Sequence, residues 1–132
     1  MNDSVEMIAA TLQRIQEEGK RNNFAIFEGD VRRNYYIQFS AEPGTAFLTA
    51  EAVSNRFLKP ENMLSPDQQA RMRGLGWTPP QIGKNKGPNF YWRWEAVTDA
   101  DRQAIAELII RTFVEVYELA PDKPLIVSLV LE

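Results

Sequence analysis

The sequence contains no histidine and no cysteine. Those absences remove the side chains that carry most proton transfer near neutral pH and most ligation of soft metals. Ser-His-Asp and Cys-His catalysis, zinc fingers, iron-sulfur clusters, haem held by His or Cys, disulfides and thiol switches are excluded with them. No uninterrupted apolar run approaches the roughly 20 residues that a membrane-spanning helix needs. Nor is there an excess of positive charge: 15 Lys+Arg stand against 18 Asp+Glu, a net charge of -3. No global field therefore draws the chain to nucleic acid or to an anionic membrane, and neither is expected as a partner. What remains is carboxylate or lysine chemistry, or binding without chemistry.

The residues that are present describe an ordinary folded chain. At 132 residues, 44% hydrophobic and 25% charged, the sequence has the composition of a globular protein and the size of one core. A single domain over residues 1–132 is expected, with no repeat, low-complexity tract or linker to divide it. The opening MNDSVEMIAATLQR carries acids and no basic stretch before its apolar positions. That is unlike a secretory signal and points to the cytoplasm.

Local patterns give the elements. Val5, Ile8, Ala9, Leu12 and Ile15 recur at helical spacing, with Gly19 as a stop. Phe24 to Phe27 is a short apolar run, and Tyr35, Ile37 and Phe39 alternate with Tyr36, Gln38 and Ser40 as a strand does. Glu42-Pro43-Gly44-Thr45 has Pro at i+1 and Gly at i+2 of a type II turn, so the run from Ala46 to Glu51 should fold back antiparallel. A polar helix or turn follows around Val53 to Leu58. Ser65, Pro66 and Gln68 supply the N-cap, first-turn proline and capping-box partner of a helix ending near Gly74 or Gly76. The stretch from Trp77 to Pro88 is too rich in Pro and Gly to be regular structure. Phe90, Trp92 and Trp94 then form one face of an aromatic strand. Thr98 with Asp101 opens the longest helix, over 98–119, whose apolar stripe is wide enough to be covered on more than one side. A turn over Pro121 to Pro124 leads to Leu125–Leu131, apolar on both faces, which suits a central strand. The order α, β, β, β, α, β, α, β implies an α+β fold: a two-layer sandwich, with a mainly antiparallel sheet packed by helices.

Candidate chemistry is sparse. Glycoside cleavage needs two carboxylates about 5 to 9.5 Å apart, and Glu51 or Glu95 near the proline-rich loop would serve a hydrolase or a small-molecule binder. Asp99 and Asp101 lie in a first helical turn, where the helix dipole accounts for them. No metal-binding motif is present, no phosphate loop matches, and no cofactor is expected. Lys84, Lys86 and the aromatics from Phe90 to Trp94 have the mixture that single-stranded nucleic acid uses, but with three positive charges only. Tyr91 and Arg93 point away from Phe90, Trp92 and Trp94 and can mark a contact surface, since aromatic and Arg side chains concentrate at interface hot spots.

Tyr36-Ile-Gln-Phe39, Leu48-Thr-Ala-Glu-Ala-Val-Ser-Asn55, Leu75-Gly-Trp77 with Pro80, and Pro88-Asn-Phe90 with Trp92 and Trp94 follow one another in an order that resembles the TY-Chap superfamily. That group gathers domains similar to type III secretion chaperones and YbjN-like proteins. The resemblance implies a compact α+β domain, often a homodimer, that binds other polypeptides and has no established catalytic activity. Gln38, Glu51, Ser54, Asn55, Trp77, Asn89 and Trp92 are the positions matching the family pattern. With Tyr91, Arg93 and Trp94 they form the expected partner-binding set. Ser54 and Asn55 can also satisfy backbone groups where the sheet stops, and Trp77 can plug the sheet edge. Secretion chaperones place two adjacent strands before a last helix, whereas here the long helix precedes the final strand. The expected function is a chaperone-like module that packs a client segment against an apolar face or adds it as a strand. A second copy would use the apolar surplus of the 98–119 helix or an exposed strand edge.

Overall fold

A computed structural model describes residues 2–19 and 21–131. The chain runs α1 (Asn2–Glu17), β1 (Asn23–Asp30), β2 (Tyr35–Ala41), β3 (Leu48–Ala52), two short 3₁₀ turns, α2 (Pro66–Leu75), β4 (Phe90–Trp94), α3 (Asp99–Glu115) and β5 (Ile126–Val130). The strands form one sheet in the order β4-β3-β2-β1-β5, antiparallel at every pairing. This is an α+β fold with the helices laid on one face.

Local chemistry sets the boundaries. Gly44 has φ of 79° and the Thr45 N–H donates to Glu42 O at 3.2 Å, the geometry of the turn that Pro43 and Gly44 favour. α2 begins with a complete capping box: the Gln68 N–H donates to Ser65 Oγ, and Gln68 Oε1 accepts the Ser65 N–H at 2.7 Å. α3 repeats the device with Thr98 and Asp101. Bonds from the Thr98 backbone and hydroxyl hold the Asp101 carboxyl below the ordinary carboxylate range.

Alternation sorts the strand residues between the two faces. Ala25, Phe27, Ile37, Phe39, Ala50 and Ala52 are buried beneath Ile8, Leu12 and Ile15 of α1 and Ile105, Ile109 and Phe113 of α3. Gly29 permits α3 to approach, since a Cβ there would lie 2.7 Å from the Phe113 ring. Polar clasps tie the layers. Asn23 Nδ2 donates to Ile15 O at 2.8 Å and to Glu18 O, closing the end of α1. The buried Arg102 guanidinium joins Gln16 Oε1 at 2.7 Å and Asp99.

One expectation is corrected. β5 is an edge strand, not a central one: it pairs with β1 alone, because β2 already occupies the other side of β1. Of the positions that widen the apolar stripe of the long helix, Tyr117 is fully buried, while Ile110 and Val114 are half-buried.

Tyr117 makes the fold pH-dependent at the alkaline end. Its hydroxyl donates to Val53 O at 2.7 Å, and burial pushes the phenol well above its ordinary value. A phenol that ionises more readily when unfolded contributes stability that is whole below the unfolded pKa of about 10 and is lost as pH rises beyond it. Tyr117→Phe should cost about 1 to 2 kcal/mol at pH 8. Above about pH 10 the wild type should lose stability faster than the variant, by up to about 1.4 kcal/mol per pH unit. Urea unfolding across that range measures the closing gap; parallel curves would remove Tyr117 from the account.

Candidate functional site

Among the described residues no helix packs on the second face of the sheet. Register places the side chains of that face in rows across the strands. One row runs Val130, Phe24, Ser40, Thr49 and Arg93 from β5 to β4, and the next runs Ser128, Ile26, Gln38, Glu51 and Tyr91. Ile126, Glu28 and Tyr36 begin a third. The face grades in chemistry: on β1 and β5 the apolar Phe24, Ile26, Ile126 and Val130 outnumber Ser128 and Glu28, while β2–β4 supply hydroxyls, amide, carboxylate and guanidinium.

Four residues expected to bind a partner meet here. Gln38, Glu51 and Tyr91 are cross-strand neighbours in one row, and Arg93 stands in the adjacent one. The Arg93 guanidinium lies 4.3 Å from the centre of the Phe47 ring and its Nε bonds Glu95 Oε1 at 2.7 Å. That hydrogen bond from Arg93 holds the Glu95 carboxyl below its usual range, the opposite of the raised value a general acid needs. Among the described residues no group of three or more acidic side chains is placed to hold a metal.

The other expected residues build the frame of this face. Trp92 and Trp94 point to the helix side, as the alternation with Tyr91 and Arg93 requires. They stack on each other at 5.0 Å, and Trp94 stacks on Phe39 at 5.9 Å. Trp77 is 2% exposed, sits edge-on to Trp92 at 5.5 Å, and its Nε1–H donates to Thr112 Oγ1 at 3.2 Å. The neighbouring Thr78 forms a bridge with Tyr91 on the outer side of β4. Ser54 and Asn89 are buried: the Ser54 hydroxyl donates to Pro88 O at 2.6 Å, its N–H to Asn89 Oδ1 at 3.0 Å, and Asn89 Nδ2 to the Tyr36 hydroxyl at 3.3 Å. The Asn55 side chain bonds both N–H and C=O of Leu64. Ser54 and Asn55 also line a cleft of about 270 Å³ with Pro80, Pro88 and Phe90, but their polar atoms serve the chain itself.

Sequence reasoning missed Asn85, the pin of the proline-rich loop. It is 4% exposed; its Nδ2 donates to the carbonyls of Thr78, Pro79 and Asn89, and its Oδ1 accepts the Gly87 N–H at 3.1 Å. A Cβ on Gly87 would lie 3.9 Å from Glu51 Oε1, so this loop walls one end of the helix-free face. One asparagine among GKNKGPN carries no local signal of that role.

A helix-backed antiparallel sheet with one amphipathic face open is the architecture of a binding module. Over residues 5–127 the chain matches the family described as TY-Chap3, T3SS (YopN, CesT) and YbjN peptide-binding chaperone 3. It belongs to that family of peptide-binding chaperones, in agreement with the resemblance carried by the motifs. No curated protein and no solved structure shows significant similarity to it. No helix among the described residues is long and apolar enough to cross a membrane.

Proposed function

We propose that the chain is a non-enzymatic, cytoplasmic holder of polypeptide, and that its client lies extended across the helix-free face. The observation that carries this is the division of one open face into an apolar half, with Phe24, Ile26, Ile126 and Val130, and a polar half, with Gln38, Glu51, Tyr91 and Arg93. An extended client turns every second side chain to the face, so apolar ones find burial on the first half and polar ones find hydrogen-bond partners on the second, while main-chain groups take part where it meets an edge. Ser54, Asn55, Trp77, Asn89, Trp92 and Trp94 act by keeping the face flat and the loop in place. Assembly as a homodimer belongs to the same reading.

A labelled peptide of alternating leucine and serine, titrated by fluorescence polarisation, tests the assignment. Ile26→Lys puts a charge at the centre of the apolar half without touching the core. It should weaken peptide binding about tenfold or more, since an aliphatic side chain of this size contributes about 1.5 to 3 kcal/mol when fully covered, while circular dichroism stays that of the wild type. Equal binding by both proteins, or none by the wild type, would refute the reading.

A further inference from the structure

A free sheet edge is normally guarded by lysine, proline, a bulge or a covering segment, because its unpaired N–H and C=O groups recruit other strands. The two edges of this sheet are treated differently. β4 carries the charged Arg93 and is bridged on its outer side by Thr78. β5 has neither protection. From Leu125 to Leu131 it reads LIVSLVL, without charge or proline, and among the described residues β1 is its one strand neighbour.

Both faces of β5 are incompletely covered. Ile126 is 55% and Val130 42% exposed on the helix-free side, and Val127 and Leu129 on the helix side are only half-buried. A lateral neighbour would cover all four. The sequence indicates which neighbour. In an antiparallel pair, side chains directly opposite share a face, so two copies of β5 meet about a two-fold axis only in registers centred on a residue. Centring on Val127 sets Ser128 against Ile126 and brings in Pro124; centring on Leu129 sets Ser128 against Val130 and brings in Glu132. Centring on Ser128 pairs Leu125 with Leu131, Ile126 with Val130 and Val127 with Leu129, aliphatic on aliphatic throughout, with the two serines together at the axis.

From this palindromic pattern we infer that β5 pairs with β5 of a second copy, antiparallel and in register about Ser128. The contact is isologous, as a closed dimer requires, and it joins the two sheets edge to edge. The apolar halves of the two helix-free faces then adjoin across the axis, so the surface assigned above to a client becomes one strip shared by two copies. The pairing itself is independent of what that strip binds.

Light scattering on the eluting protein should give twice the 15.1 kDa chain mass. The doubly substituted chains Ile126→Lys/Val130→Lys and Ile126→Glu/Val130→Glu each oppose like charges at both 126–130 pairs, and each should run as a folded monomer. Mixed in equal amounts they place Lys opposite Glu twice and should return to the dimer mass with both chains present. Ser128→Lys, a single exposed change on each copy, should also give a monomer. The inference is overturned by a wild type that is monomeric at every concentration, by variants that remain dimeric, or by a mixture of folded variants that stays monomeric. A monomeric wild type whose β5 amides gain exchange protection from the alternating leucine–serine peptide would give this edge to the client and overturn it too. Failure here leaves the peptide-binding reading standing, because that is measured at Ile26 and not by mass.

Discussion

Trp77→Ala is expected to remove about 3 to 5 kcal/mol of unfolding free energy, a large share of the roughly 5 to 15 kcal/mol that holds a domain together. Three losses combine. The indole is almost wholly buried, so its deletion leaves a cavity that neighbours fixed by their own packing cannot close. Trp92 loses its edge-on partner, and the Thr112 hydroxyl loses a donor while remaining bound to Leu108 O at 2.8 Å. Collapse into the cavity is hindered from one side in particular. Gly76 caps α2 at φ of 115°, and any Cβ there would meet Trp92 at 2.4 Å, so this turn and the strand already touch. Trp77→Phe restores most of the ring without the N–H and should fall between the two. Urea denaturation followed by far-ultraviolet circular dichroism measures the series; a loss under about 1 kcal/mol for the alanine variant would contradict the packing account.

That result bears on what a sequence can reveal. Ser65, Gln68, Thr98, Asp101, Pro43 and Gly44 act on backbone groups within three residues of themselves, and the helices and turn they specify are where local chemistry places them. The outward pair Tyr91 and Arg93 follows from period-2 alternation and stands on the open face for the same reason. Trp77 differs. An aromatic beside prolines reads equally as plug or as anchor, and the decision is made by Thr112, a partner brought near only when α3 packs. β5 shows the same limit from the other side. Apolar residues on both faces describe a covered strand, yet strand order decides what covers it, and here it sets β5 at the edge of the sheet. Asn23, Asn85 and the Gln16–Arg102 pair are buried polar groups whose partners are carbonyls or side chains chosen by tertiary closure, so composition and spacing are silent about them. Family resemblance supplies part of what periodicity lacks. Its motif positions fall into two groups in space: Gln38 and Glu51 on the open face, Ser54, Trp77 and Asn89 in the frame behind it.

Asn85→Ala should cost about 2 to 4 kcal/mol, more than a surface loop position ordinarily does, since roughly 1 to 3 kcal/mol attaches to each buried polar group left without a partner. One side-chain amide serves three carbonyls and the Gly87 N–H; of these bonds, the one to Asn89 O at 2.8 Å is fully buried. Asn85→Asp is the sharper variant. It keeps the shape and the acceptor for Gly87 but replaces the donor with a second acceptor, so carboxylate oxygen faces carbonyl oxygen with no proton between them. It should therefore be at least as damaging as alanine. The consequence reaches the binding face, because the same loop stands against Glu51, and Asn89, which bonds both Ser54 and Tyr36, follows directly after it. The flanking Lys84 and Lys86 are exposed and provide the readout. Trypsin should cut the folded variants at these two lysines well before other sites, while the wild-type loop resists. Equal cleavage at Lys84 and Lys86 in wild type and both variants would show that the loop is held by something other than the Asn85 amide, and that the wall beside Glu51 does not depend on it.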